Sequence, residues 1–215
     1  MGIGIVILFY LIGIFILCSA LALVGGIVVY FSCKIQRKRK VYCAVFVPYL
    51  FFYSWGFIGF MGSMIVSGIK NVDVGIGDSF YAPLNKFYLL YAMDTSDNCF
   101  IGQPVTRNGV EPVISCITKI QKIDDIVLGK SREDYNNDEK YFSLNLKTDE
   151  IKFYSDEDEL INAQKLKKLD LKNSYSFYTD LRWKTAGAYF IFAGILSLIL
   201  SVLICIKFCK FVLKK

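Results

Sequence analysis

Lys34–Lys40, read KIQRKRK, places five positive charges in seven residues, between two long runs that carry no charge at all. Gly2–Cys33 on one side is 32 residues without Asp, Glu, Lys or Arg, and Val41–Ile69 on the other is 29. A third run of this kind, Thr185–Ile206, is 22 residues long. A bilayer core takes roughly 20 residues of helix, so each run is long enough to cross. Three buried helices of this length leave a soluble protein of 215 residues little room for anything else.

Short cytoplasmic connections carry the excess of Lys and Arg. With three spans, the first connection and the C-terminal tail fall on the same side, and both are basic. The connection holds Lys34, Arg37, Lys38, Arg39 and Lys40, and the tail holds Lys207, Lys210, Lys214 and Lys215. The 25 basic residues thus divide into five in the connection, four in the tail and sixteen between, and those sixteen with all 19 acids leave the middle at −3. The formal charge of +6 is therefore a topology signal and no pointer to nucleic acid. The basic cluster would also hold anionic lipid, at roughly 1 kcal/mol for each Lys or Arg near such a surface.

The expected organisation follows. A first transmembrane helix covers 1–33, a basic cytoplasmic loop 34–40 and a second transmembrane helix 41–67. An extracytoplasmic α+β domain, mostly antiparallel, covers 68–183, a third transmembrane helix 184–206 and a basic cytoplasmic tail 207–215. The N-terminus and the domain lie outside, in a bacterial inner or plasma membrane. No Asn-x-Ser/Thr acceptor occurs, although the domain is rich in Asn.

The first run reads as a retained span and not a signal peptide. It lacks a positive start, and its apolar stretch far exceeds the 7–15 residues such peptides use. Each run carries small residues about one turn apart: Cys18, Ala22 and Gly26; Gly56, Gly59, Ser63 and Ser67; Ala193, Ser197, Ser201 and Cys205. Small residues let helix backbones approach in lipid, which predicts packing through Ala22, Gly26, Gly59, Ser63, Ser197 and Ser201, within one chain or in an oligomer. Pro48 predicts a kink in the second span. The spans hold no Asp, Glu, His, Lys or Arg, which argues against a pump or an ion-coupled transporter.

The domain opens on Asp73–Asp78, a glycine-bearing loop with no Gly-Lys-Ser/Thr to make it a phosphate loop. Strands are predicted over Ser79–Leu84, Phe87–Met93, Cys99–Val105 and Val110–Ile123, with Asn108-Gly109 as a hairpin signal. Ile126–Leu128 reads as a short strand and Ser131–Lys140 as a charged loop. Tyr141–Thr148 alternates apolar and polar residues and reads as half-buried, with Ile151–Tyr154 returning beside it. Ser155 is the expected cap of a helix whose first turn is acidic and whose end is rich in Lys. Trp183, after Tyr175, Phe177 and Tyr178, is the expected anchor at the membrane interface, where amphipathic aromatics gather.

Seven cysteines and no histidine bound the chemistry. Cys99 and Cys116 are the two on the outer side. Folding the hairpin about Thr106–Gly109 sets them opposite one another and predicts a cross-strand disulfide. The alternative is a pair of thiols, with Pro104 and Pro112 disturbing the register. The other cysteines match no zinc spacing, so neither a metal nor a cofactor is expected. Without histidine there is no Ser-His-Asp triad and no His-Glu-x-x-His motif. Asp94, Asp97 and Asn98 are too few oxygens for calcium, which takes six to eight.

What remains is a non-catalytic, membrane-anchored domain that binds a protein partner, in the manner of an immunity protein or an accessory subunit of an envelope complex. Two other readings stay open. One is an oligomeric pore built on the small-residue faces, and the other is an enzyme using carboxylates or the Asp73–Asp78 loop.

Overall fold

The computed structural model describes residues 3–76, 79–93, 99–105, 109–132 and 139–214. It divides into two compact units: Met1–Val66 with Ala188–Lys215, and Ser67–Gly187.

The first unit is helical. Helices α1 (Ile3–Ser32), α2 (Arg37–Lys70) and, from the other end of the chain, α4 (Ser174–Lys214) are the three described helices long and apolar enough to cross a membrane. A helix satisfies its own backbone groups, so uncharged runs of Leu, Ile, Val and Phe are free to take this form without water. The basic connection is shorter than expected. Arg37–Lys40 already belong to α2, Gln36 turns the chain at φ +52, and the Arg37 guanidinium donates to the Cys33 carbonyl at 3.0 Å.

α2 touches both other helices in this unit. Towards α1, Cys18 is fully buried, Ala22 is 5% exposed, and a Cβ on Gly26 would stand 3.3 Å from the Val45 side chain. Ser19 and Tyr49 share a hydroxyl hydrogen bond of 2.8 Å. Towards α4, added Cβ atoms on Gly59 and Gly62 would stand 3.3 Å from Ser197 Oγ and 3.2 Å from Ala193 Cβ. Ser197 and Ser201 are fully buried, each hydroxyl bonded back to its own helix at 2.8 Å. Ser63 is half-buried and Gly56 meets nothing. α2 runs unbroken past Pro48. The missing Pro48 amide frees the Ala44 carbonyl. A Cβ on Gly25 of α1 would lie 3.6 Å from that oxygen.

The second unit is an antiparallel sheet with a short helix. Strands β1 (Ser79–Pro83), β2 (Leu89–Met93), β3 (Cys99–Val105), β4 (Gly109–Ile123), β5 (Ile126–Arg132), β6 (Glu139–Asn145) and β7 (Ile151–Tyr154) pair in sequence order. The two-residue β8 (Lys172–Asn173) joins β4 at Lys119–Ile120, beyond Ile117 where β3 begins. The sheet curls. The Asn85 side chain in the β1–β2 turn donates to the Leu146 carbonyl at 3.1 Å, and Tyr88 donates to Asp149 at 2.9 Å. Inside the curl lies the main core, including Leu90, Ile101, Ile114, Ile117, Ile120, Phe142 and Leu144. Gly129 stands opposite Phe142, whose ring lies where a Cβ would be, at 2.5 Å. On the other face of β5–β7, α3 (Glu157–Ala163) and the segment after it cover Leu128 and Tyr154 with Leu160 and Leu169.

Several expectations change here. β5 runs seven residues where a three-residue piece was expected, so Ser131 and Arg132 are strand and not loop. β6 is buried on both faces: Phe142 and Leu144 face the curl, while Ser143 lies under α3, bonded to Tyr154 at 3.1 Å. Alternation showed one apolar face but could not show that a helix covers the polar one. The cap of α3 is Asp156, which accepts from the Glu159 amide at 2.7 Å, whereas Ser155 bonds the Glu159 carboxylate. α4 begins at Ser174, so Tyr175–Trp183 are its first turns.

The register around Cys99 and Cys116 also differs from the expected one. Two register shifts between β3 and β4, with Cys116 at φ +53, set Cys99 opposite Ile117, where folding the hairpin about Thr106–Gly109 places Cys116. Cys99 is in consequence 2% exposed, inside the core.

Candidate functional site

Two features of the sheet unit stand out from ordinary packing. The first is a buried polar latch. Asp73 follows α2 by three residues and is 5% exposed. Its Oδ1 accepts from the Tyr178 hydroxyl at 2.5 Å and from the Tyr81 amide at 3.3 Å, and Arg182 Nε stands 3.8 Å away. Arg182 also donates to the backbone carbonyls of Asp73 (3.2 Å) and Val74 (2.9 Å). Tyr178 and Arg182 are one turn apart on α4, so both reach the same loop. Ser67 closes the other end, donating to the Val72 carbonyl at 2.5 Å. Gly75 sits at φ +83, and a Cβ there would meet the Arg182 guanidinium at 2.8 Å. Only glycine fits that position on both counts.

Asp73 Oδ2 is buried with no hydrogen-bond partner among the described residues. Leaving such an acceptor dry costs about 1–3 kcal/mol, so the latch keeps its geometry at some expense. The groups in reach of the carboxylate are a phenol, an amide and a guanidinium. Among the described residues, that set orders a loop.

The second feature is a row of aromatic rings. In register, Tyr81 faces Tyr91 and Tyr91 faces Phe100 across β1, β2 and β3. Their neighbours Ala82, Leu90 and Ile101 point into the curl, so strand alternation turns the three rings to the opposite face. The Tyr81 and Tyr91 rings stack with centroids 6.3 Å apart, and Tyr91 and Phe100 lie 4.9 Å apart. All three are half-buried, and neither core cluster includes them. α3 covers the corresponding face only over β5–β7.

The residues singled out from the sequence are placed as follows. Lys34 and Arg37–Lys40 lie at and just after the α1–α2 turn, all exposed except the half-buried Lys40. Trp183 is 51% exposed on α4, with the Arg182 guanidinium 5.9 Å from its ring. Asp78, Asp94, Asp97, Asn98 and the turn 106–108 lie outside the described residues. Asp124-Asp125 form the two-residue turn between β4 and β5, and Asp125 pairs with Lys147 at 2.5 Å. Among the described residues no three His, Cys, Asp or Glu side chains gather as a metal site.

Sequence reading missed both features. The latch joins residues 105 apart with no local signal. The aromatic row was visible as alternation in Phe80-Tyr81-Ala82 and Leu90-Tyr91-Ala92, but only the register shows that the rings align. No protein-family model, curated protein or solved structure matches the chain.

Proposed function

We propose that the chain crosses a membrane three times and presents its sheet domain on the extracytoplasmic side as a non-catalytic binding domain for a protein partner. The N-terminus lies outside, and the basic turn and C-terminal tail lie in the cytoplasm. Support for the crossing comes from three long apolar helices and from charge: nine Lys and Arg at the turn and tail, against a middle segment of −3. Support for the binding role comes from one observation, the row Tyr81, Tyr91 and Phe100 on a sheet face that no core cluster claims. Aromatic side chains give large contact area at low entropic cost and are enriched at protein interfaces. A bacterial envelope suits such a layout, with the chain serving as an immunity protein against a secreted toxin or as an accessory subunit of a larger complex.

The test is photocrosslinking in native membranes. Benzoylphenylalanine at Tyr91 keeps a ring in the row, and the same probe at Lys152, exposed on β7, serves as the control. A discrete adduct is expected from position 91 and none from 152. No adduct at 91, or equal labelling at both, would overturn the binding role.

A further inference from the structure

Within the helical unit, α2 and α4 pack antiparallel in a steady register. Gly62 faces Ala193 and Gly59 faces Ser197 at close range, and the Cys205 thiol donates to the Val47 carbonyl at 4.0 Å. One further turn along each helix, in opposite senses, leads from Val47 to Cys43 and from Cys205 to Cys209. The two thiols meet there and share a hydrogen bond. Beside them the Tyr42 and Phe208 rings pair with centroids 6.2 Å apart.

This pair differs from the other buried cysteines of the unit. Cys18 and Cys205 each have a backbone carbonyl as partner, from Pro48 and Val47. Cys43 and Cys209 have each other, on separate helices. Cys43 is 8% exposed and Cys209 is half-buried, so a reagent from solution reaches Cys209 first. Arg39 and Lys40 stand one turn before Cys43, and Lys207 and Lys210 stand beside Cys209. Those cations draw an anionic reagent towards the pair. Gly59 is roughly 24 Å of helix away from Cys43 along α2. Small residues hold that end of the seam, and the thiols are the chemistry at hand to hold the other.

We propose that Cys43 and Cys209 form a dithiol that closes to a disulfide on exchange with an oxidised low-molecular-weight thiol, of which glutathione disulfide is the probe. In the first step the Cys209 sulfur gives up its proton and attacks one sulfur of the reagent. The reagent's S–S bond breaks, and one glutathione leaves and takes up a proton. In the second step the Cys43 sulfur gives up its proton and attacks the Cys209 sulfur of the mixed disulfide. The Cys43–Cys209 bond forms and the second glutathione leaves as a thiol. The cysteine pair loses two electrons, and the glutathione disulfide gains them. The bond staples α2 to α4. This chemistry is independent of the binding role; only its compartment, a reducing cytoplasm where the pair rests as thiols, follows from the proposed sidedness.

Peptide mapping tests it on the full-length protein in detergent, incubated with glutathione disulfide and quenched in acid. Trypsin cuts after Lys207 and Lys210, so residues 208–210 carry Cys209 apart from Cys205. The expected product is that peptide linked to residues 41–70, which carry Cys43. It should exceed any other pairing by about tenfold, since a thiol held in contact acts at a high effective concentration. Dithiothreitol should release it. In Cys43→Ser, Cys209 is expected to keep glutathione as a mixed disulfide, and Cys33→Ser with Cys205→Ser should leave the Cys43–Cys209 link in place. The decisive reading comes from the unmodified protein, so a variant that misfolds does not remove it. The proposal is overturned if Cys43 stays free while Cys209 ends as a thiol or a glutathione adduct, or if Cys209 links to Cys205 or Cys33 as often as to Cys43. Equal yield of the link from protein unfolded in guanidinium would also overturn it, because the helix register would then play no part.

Discussion

At the scale of single residues, the latch around Asp73 orders the segment that follows α2 and ties it to the first turns of α4. Tyr178→Phe removes the 2.5 Å donor and leaves the buried carboxylate with an amide and a distant guanidinium. The expected loss is about 1–3 kcal/mol. Gly75→Ala forces a side chain into a positive-φ position against Arg182 and should cost more than about 1 kcal/mol. Both are read from chemical unfolding of the full chain in detergent micelles. Changes within about 0.5 kcal/mol of zero, the range of ordinary surface substitutions, would show that the latch contributes nothing. None of this was legible in the sequence. Asp73 read as the first residue of an exit loop, because a carboxylate finds a phenol 105 positions away through the fold and not through spacing. The register opposite Cys99 was not legible for a related reason. Hairpin arithmetic assumes a regular ladder, and the β3–β4 pair shifts register twice between Gly102 and Cys99.

At the scale of elements, strands and helices were legible where composition alone decides them. β1–β4 fell close to their expected bounds because Gly, Pro and Asn clusters punctuate them. β5 and β6 were misread because their burial comes from α3, which the strand pattern does not contain. α3 is short, and it holds by its ends and one deep contact. Asp156 caps it, Ser155 and Glu159 bond at its start, and Leu160 is fully buried against the sheet. Asp156→Ala should cost about 1 kcal/mol and Leu160→Ala about 2–5 kcal/mol in the same unfolding measurement. If Asp156→Ala cost more than Leu160→Ala, the helix would be held by its cap and not by the core beneath it.

At the scale of the whole molecule, the three long helices were legible because an uncharged, apolar run of more than about 20 residues matches the thickness of a bilayer core. The curl of the sheet was not, since it depends on contacts such as Asn85 to Leu146 and Tyr88 to Asp149 between distant turns. The small residues on the three helices fill contacts between helices of one chain, as at Gly59 with Ser197 and Gly62 with Ala193. A pore built on those same faces would have to break these contacts first. The central claim is the proposed sidedness of the chain, read from nine cations at the turn and tail and from a middle segment of net charge −3. Impermeant maleimide labelling of intact cells tests it most directly, using single cysteines at Lys152 or at Lys210 in a chain whose seven native cysteines are replaced. Lys152→Cys is expected to label before lysis and Lys210→Cys only after; labelling of Lys210→Cys in intact cells with Lys152→Cys protected would contradict the account.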